Sequence, residues 1–243
     1  LSVGVFWIGY LAVLVAASVT KGLVPQHWGQ LAWGLASAAA LLCWSWLMIR
    51  RERRALVDFG LRLQAGSGRR LLGGLALGVG NYALVVWVTS AALGQIHFQA
   101  ASPPAFDAIG LSVCTVLALS AMEELGFRGY PLRTLVNHIG AWPAQMVVAL
   151  AFAMVHIAYG WPWQTVLFGV LPSALLFGAA AMASGGLALP IGVHAGVNLA
   201  RWAAGESENP GFGVWVLVGR QDPDFGASAA LIGLVLTLLT TSA

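Results

Sequence analysis

Eight mostly apolar stretches, each close to the length of a membrane span, recur along the 243 residues of this chain. A helix needs about 20 such residues to cross a bilayer, and fewer where it ends in a polar cavity. The runs cover about 3–19, 31–49, 71–93, 108–124, 144–159, 165–183, 187–203 and 227–240. Residue usage agrees with them. The chain is 59% hydrophobic and 9% charged, where a soluble domain carries roughly a quarter charged residues. The fold class that follows is all-α: a polytopic membrane bundle of about eight transmembrane helices. Thirty glycines suit close helix packing, and eleven tryptophans suit anchoring at membrane interfaces. No linker or repeat divides the chain, so a single domain over 1–243 is expected.

The basic residues orient this bundle. Arg50-Arg-Glu-Arg-Arg54, with Arg62, Arg69 and Arg70, lies between the second and third runs. By the positive-inside rule this loop faces the cytoplasm, and the amino terminus with it. Nine of the twelve Lys and Arg then fall on the inner side. Membrane topology thus accounts for the net charge of +3, and no nucleic-acid partner is expected. The segment Gln95–Asp107, with Pro103 and Pro104, and the acidic loop Gly205–Gly226, with Glu206, Glu208, Asp222 and Asp224, fall outside. Trp161-Pro-Trp163 reads as an outer turn and Gly185-Gly186 as a second turn. Pro172 is expected to kink the sixth run, and Pro131 is expected to break an amphipathic segment along the inner interface. The first run lacks a basic leader and a cleavage site, so it reads as a membrane helix. Cys43 and Cys114 lie inside apolar runs without zinc or disulfide spacing.

Against this background, a few polar residues stand where hydrocarbon makes them costly. Glu123 and Glu124 close the fourth run, and Arg128 follows. Glu124 and Arg128 are spaced i,i+4, on one helix face, and can form an ion pair. Glu123 is turned by about 100° and can point elsewhere. One carboxylate is therefore expected to be held and the other left for chemistry, as a general base. Phe152 and His156 share a face of the fifth run. His194 and Asn198 share a face of the seventh. Taken singly, an interfacial ion-pair cluster, a packing histidine and interhelical hydrogen bonding account for these residues without any chemistry. Together they suit one polar cavity that holds a water and stabilises an oxyanion. Ser120 and Ser184 lack a nucleophile context, and neither Gly-x-Ser-x-Gly nor His-Glu-x-x-His occurs. No cofactor is called for, although a glutamate and two histidines from separate helices could bind zinc.

Glu123-Glu124-x-x-x-Arg128, Phe152-x-x-x-His156 and His194-x-x-x-Asn198 together resemble, in order, the three motifs of the CPBP family. This family comprises the type 2 CAAX prenyl proteases and the bacteriocin-processing or self-immunity enzymes. The motif-bearing core would run over about 108–204. The resemblance implies a glutamate-dependent intramembrane endopeptidase with an eight-helix bundle. Glu123 would be the base, acting with His156 on a water. Glu124 and Arg128 would support the site, His194 and Asn198 would stabilise the oxyanion, and Phe152 would pack or line the substrate cavity. The partner implied is a membrane-embedded or lipid-anchored protein or peptide, with a leader or C-terminal sorting segment as the expected place of cleavage and a bacterial inner membrane as the expected location. Two other classes stay open: a non-catalytic immunity or scaffold protein of the same fold, and a proton-coupled transporter.

Overall fold

The computed structural model describes residues 2–61, 63–94, 97–100, 105–206, 214–218 and 223–242. Arg62, Gln95, Pro103, Pro104, Glu208 and Asp222 lie outside the described residues. The main helices are α1 (Ser2–Ala17), α2 (Gly29–Arg51), α3 (Ser67–Leu93), α4 (Phe106–Glu124), α5 (Tyr130–Ile139), α6 (Ala141–Ala158), α7 (Trp163–Thr165), α8 (Leu171–Ser184), α9 (Ala188–Ala203) and α10 (Pro223–Ser242). Each of the eight apolar runs forms a helix, with α7 and α8 joined through Val166–Val170 into one helical span. Six spans among the described residues are long and apolar enough to cross a membrane. Large apolar side chains such as Ile8, Val15 and Leu72 point out of the bundle, 71%, 73% and 66% exposed. Such a surface suits lipid and would be a liability in water. The chain is an integral membrane protein.

Two short strands, β1 (His97–Ala100) and β2 (Trp215–Val218), pair antiparallel with His97 opposite Val218. They join the connection after α3 to the one before α10. The two segments expected on the same side of the membrane thus meet.

The fourth run differs from expectation in an instructive way. Its apolar stretch stops at Glu124, but the helical span does not. A π-helical turn, Leu125–Gly129, carries it into α5, so one 34-residue span runs from Phe106 to Ile139. Glu123 therefore sits in the middle of a span and not at its inner end. Pro131 does not break this span. It occupies the first turn of α5, where its missing N–H costs no hydrogen bond. Tyr130, Pro131, Leu132 and Thr134 are buried, so this face of α5 belongs to the core. Tyr130 stacks between Phe6 and Phe59, at 5.0 and 5.4 Å between ring centroids, and its hydroxyl donates to Glu52. The basic loop is thereby tied to α5. Likewise Pro172 stands in the first turn of α8, directly after the π-helical segment Val166–Val170, which is where the sixth run departs from a regular helix.

The tryptophans expected as interface anchors include three that serve inside the bundle. The indole N–H groups of Trp7, Trp33 and Trp44 donate to the carbonyls of Gly126, Leu14 and Phe6 at 3.3, 3.1 and 3.2 Å. Trp44 in particular joins α2 to α1. At the other end of the chain, Gly185 takes φ +68° to end α8, a conformation that costs glycine nothing.

Among the described residues the most extensive helix contact is between α3 and α9. Gly74 and Gly78 of α3 face Gly192 and Gly196 of α9, and no side chain separates the backbones. A Cβ added at Gly78 would lie 3.0 Å from Gly196 Cα and overlap the Val193 carbonyl oxygen. At Gly74 the same atom would lie 3.0 Å from Gly192 Cα. This seam fixes where α9, with His194 and Asn198, stands in the bundle. Gly78→Ala is expected to destabilise the protein by about 1–3 kcal/mol, because the atoms it meets are backbone and cannot turn aside. Thermal unfolding followed by tryptophan fluorescence checks this; an unchanged midpoint would mean the seam is looser than these contacts imply.

Candidate active site

The site forms where α4, its π-helical continuation, α6, α8 and α9 converge. Glu124 and Arg128 are both fully buried, and Arg128 Nη1 donates to Glu124 Oε1 at 3.1 Å. The expected ion pair is present. The guanidinium also donates through Nη2 to the Ala174 carbonyl at 2.9 Å. Its charge lies over three aromatic rings: Phe152 at 4.5 Å, Phe177 at 5.5 Å and Phe127 at 5.9 Å. Arginine suits this enclosure, because its planar, weakly hydrated cation can stack and hydrogen-bond at once.

Glu124 Oε1 also accepts from His194 Nδ1 at 2.9 Å. A carboxylate oxygen only accepts, so Nδ1 carries the proton. His194 Nε2 is thereby turned toward Glu123, 3.7 Å from its Oε2. The His194 ring is held in this orientation by stacking on Phe177, at 4.3 Å and 16° between planes. The two glutamates thus differ as their spacing suggested. Glu124 is bonded to two cationic or polar partners and sealed. Glu123 keeps 20% of its side chain exposed and accepts no hydrogen bond from Arg128 or His194, while the Oε2 atoms of both glutamates are buried without a hydrogen-bond donor among the described residues.

His156 lies one ring away. Its Nδ1 donates to the Phe152 carbonyl at 2.9 Å, which leaves the lone pair on Nε2. Phe152 is packed between the two histidines, 4.6 Å from His156 and 6.0 Å from His194 by ring centroids. Among the described residues no hydrogen bond or ion pair joins His156 to either glutamate, so the histidine in direct reach of the Glu123 carboxylate is His194. Asn198 follows His194 by one turn of α9, half-buried, and its side chain makes no hydrogen bond with another described residue.

Four participants escaped the sequence reading. Phe177 and the Ala174 carbonyl come from α8, and nothing in their spacing marks them. Tyr10 and Tyr159 carried a signal, since a phenol in or beside an apolar run needs a polar neighbour. The Tyr10 ring lies directly on Gly126, where a Cβ would collide with it, and edge-on to Phe127 at 5.2 Å. Tyr159 directly follows α6, its ring 6.5 Å from that of His156. Ser120 is buried without a hydrogen-bond partner, and Ser184 is bonded to the Ala180 carbonyl at 2.8 Å, so neither is paired with a base. Among the described residues no three His, Cys, Asp or Glu side chains are grouped to hold a metal.

Residues 105–200 match the family model described as Type II CAAX prenyl endopeptidase Rce1-like. The matched stretch contains Glu123, Glu124, Arg128, Phe152, His156, His194 and Asn198, and it agrees with the resemblance drawn from the three motifs. Neither the curated proteins nor the solved structures give a match.

Proposed function

With residues 105–200 matching the Rce1-like type II CAAX prenyl endopeptidase family model, we propose that this chain is an intramembrane endopeptidase that cleaves with a glutamate-activated water. Glu123 accepts a proton from the water as its oxygen bonds to the peptide carbonyl carbon. The carbonyl becomes an oxyanion, and the proton then passes to the leaving nitrogen as the C–N bond breaks. No covalent acyl-enzyme forms. The observation that carries this reading is the contrast between Glu124, fully buried and paired with Arg128, and Glu123, one-fifth exposed and unpaired with Arg128, whose Oε2 faces His194 Nε2 at 3.7 Å.

The other residues take roles that fit their hydrogen bonds. Asn198 can donate to an oxyanion in any protonation state. His194 donates its Nδ1 proton to Glu124, so its Nε2 can serve an oxyanion only once it has gained a proton. His156, with its lone pair on Nε2, assists Glu123 in holding the water. Glu124, Arg128 and Phe152 keep the acids and histidines in place. The substrate proposed is a membrane-embedded or lipid-anchored protein, cut at an apolar leader or C-terminal sorting segment. The membrane proposed is the bacterial inner membrane, with the amino terminus and the Arg50–Arg54 loop in the cytoplasm.

The test is cleavage of such tails by the purified chain in nanodiscs. His156→Ala is expected to abolish cleavage while the protein stays folded, and chelators are expected to leave the rate unchanged. Full cleavage by His156→Ala would remove that residue from the chemistry. Substrate-coupled ion flux without cleavage would replace the endopeptidase with a transporter.

A further inference from the structure

A polar stripe on α9 leads away from the glutamates. His194, Asn198 and Arg201 fall at i, i+4 and i+7, on one face of the helix. Seven residues of helix rise about 10 Å, which sets Arg201 roughly that far along α9 from His194. There it lines a cleft of about 330 Å³ together with Tyr159, Gly160, Trp161 and Pro162. These four form the turn that ends α6, and the turn belongs to the site's surroundings. Both Trp161 and Tyr159 lie edge-on to the His156 ring, at 5.1 and 6.5 Å. Arg201 and Glu206 lie just beyond the residues matched to the family, 105–200.

The chemistry of the cleft is that of an anion site with a local counter-ion. Arg201 occupies the last turn of α9, where a cation is favoured by the helix dipole. Its Nε holds Glu206 Oε2 at 3.3 Å, with about a third of each side chain exposed. Nη1 and Nη2 make no hydrogen bond with another described residue. Tyr159, Trp161 and Pro162 supply the walls beside it.

We propose that this cleft is a substrate subsite for a carboxylate of the bound peptide, held by the Nη edge of Arg201 with Tyr159 beside it and Glu206 as the competing internal anion. Its place in substrate binding rests on the endopeptidase reading; its preference for a carboxylate does not. A pocket that closes on the peptide's anion would fix which way the chain lies across Glu123 and His194.

The test reads binding and needs no turnover. Full-length protein in nanodiscs of zwitterionic lipid is titrated with fluorescent apolar peptides that differ only in their end. One carries a free carboxylate, one an amide, and one an amide with an aspartate beside it. Anisotropy is expected to show the two carboxylate peptides bound about tenfold more tightly than the amide, the scale of one charged hydrogen bond. Whichever of the two binds tighter identifies the carboxylate as terminal or side-chain. Arg201→Gln should erase the preference and leave amide binding unchanged. Glu206→Gln should enlarge the preference by releasing Arg201, an effect opposite in sign that a merely structural arginine would not produce, and one that keeps the test decisive if Arg201→Gln fails to fold. Equal affinity for acid and amide would overturn the proposal, as would equal losses for both peptides in Arg201→Gln. So would an Arg201→Gln effect confined to nanodiscs containing phosphatidylglycerol, which would assign the cleft to a lipid phosphate. Absence of cleavage in a parallel assay would sink the endopeptidase reading and leave the measured preference standing.

Discussion

Glu123→Gln is expected to slow cleavage by about 10²–10⁴-fold, the usual worth of a general base, while the unfolding temperature stays where it is. The amide has the same shape but cannot take a proton from water. Stability should be indifferent because Glu123 is partly exposed, its Oε2 accepts no hydrogen bond among the described residues, and His194 is 3.7 Å away. Glu124→Gln is the informative contrast. It too should lose activity, but by removing the charge that balances the fully buried Arg128, so its unfolding temperature should fall. Cleavage progress curves and thermal melts of both variants, in the same nanodiscs, separate the two roles. A Glu123→Gln protein that cleaves at the normal rate would place the base elsewhere. One that melts early would return Glu123 to the structural class of its neighbour.

What could be read in advance follows the range of the interactions involved. The Glu124–Arg128 pair was legible because i,i+4 spacing is local, and a π-helical turn between the two residues did not undo it. The eight helices were legible because apolar length is local too. The depth of Glu123 was not. The residues after it look polar, with Arg128 and Arg133, and so suggest the end of a span. Both arginines find backbone carbonyls on α8, at Ala174 and Ala181, which lets the span continue. No property of the segment itself announces those partners. The choice between the two histidines was hidden for the same reason. Either can be imagined beside Glu123; His194 stands there because Gly74, Gly78, Gly192 and Gly196 bring α9 against α3. That seam depends on a third run which, read alone, is only another apolar helix.

Arg128→Met is expected to cost about 3–5 kcal/mol, the penalty for breaking a buried ion pair from one side. On a chain of this size that is a fall on the order of 10 °C in the unfolding midpoint. The loss has three parts that act together. Glu124 keeps the bond from His194 but loses its cationic partner, with its Oε2 already lacking a donor. The Ala174 carbonyl loses the bond from Nη2, and three aromatic rings lose a cation. Arg128→Lys should recover little, since an ammonium cannot bond Glu124 and Ala174 through a planar fork while stacked on Phe152. The decisive variant is the double change Glu124→Gln with Arg128→Met. It removes both charges, and replacing a buried pair with neutral groups of similar volume is often tolerated, so much of the lost stability should return. Activity should not return with it, because His194 would then have lost the carboxylate that sets its tautomer and turns Nε2 toward Glu123. A double variant that is both stable and active would mean that Glu124 and Arg128 only fill space. A double variant as unstable as Arg128→Met would mean that the aromatic cage, rather than the charge balance, dominates the cost.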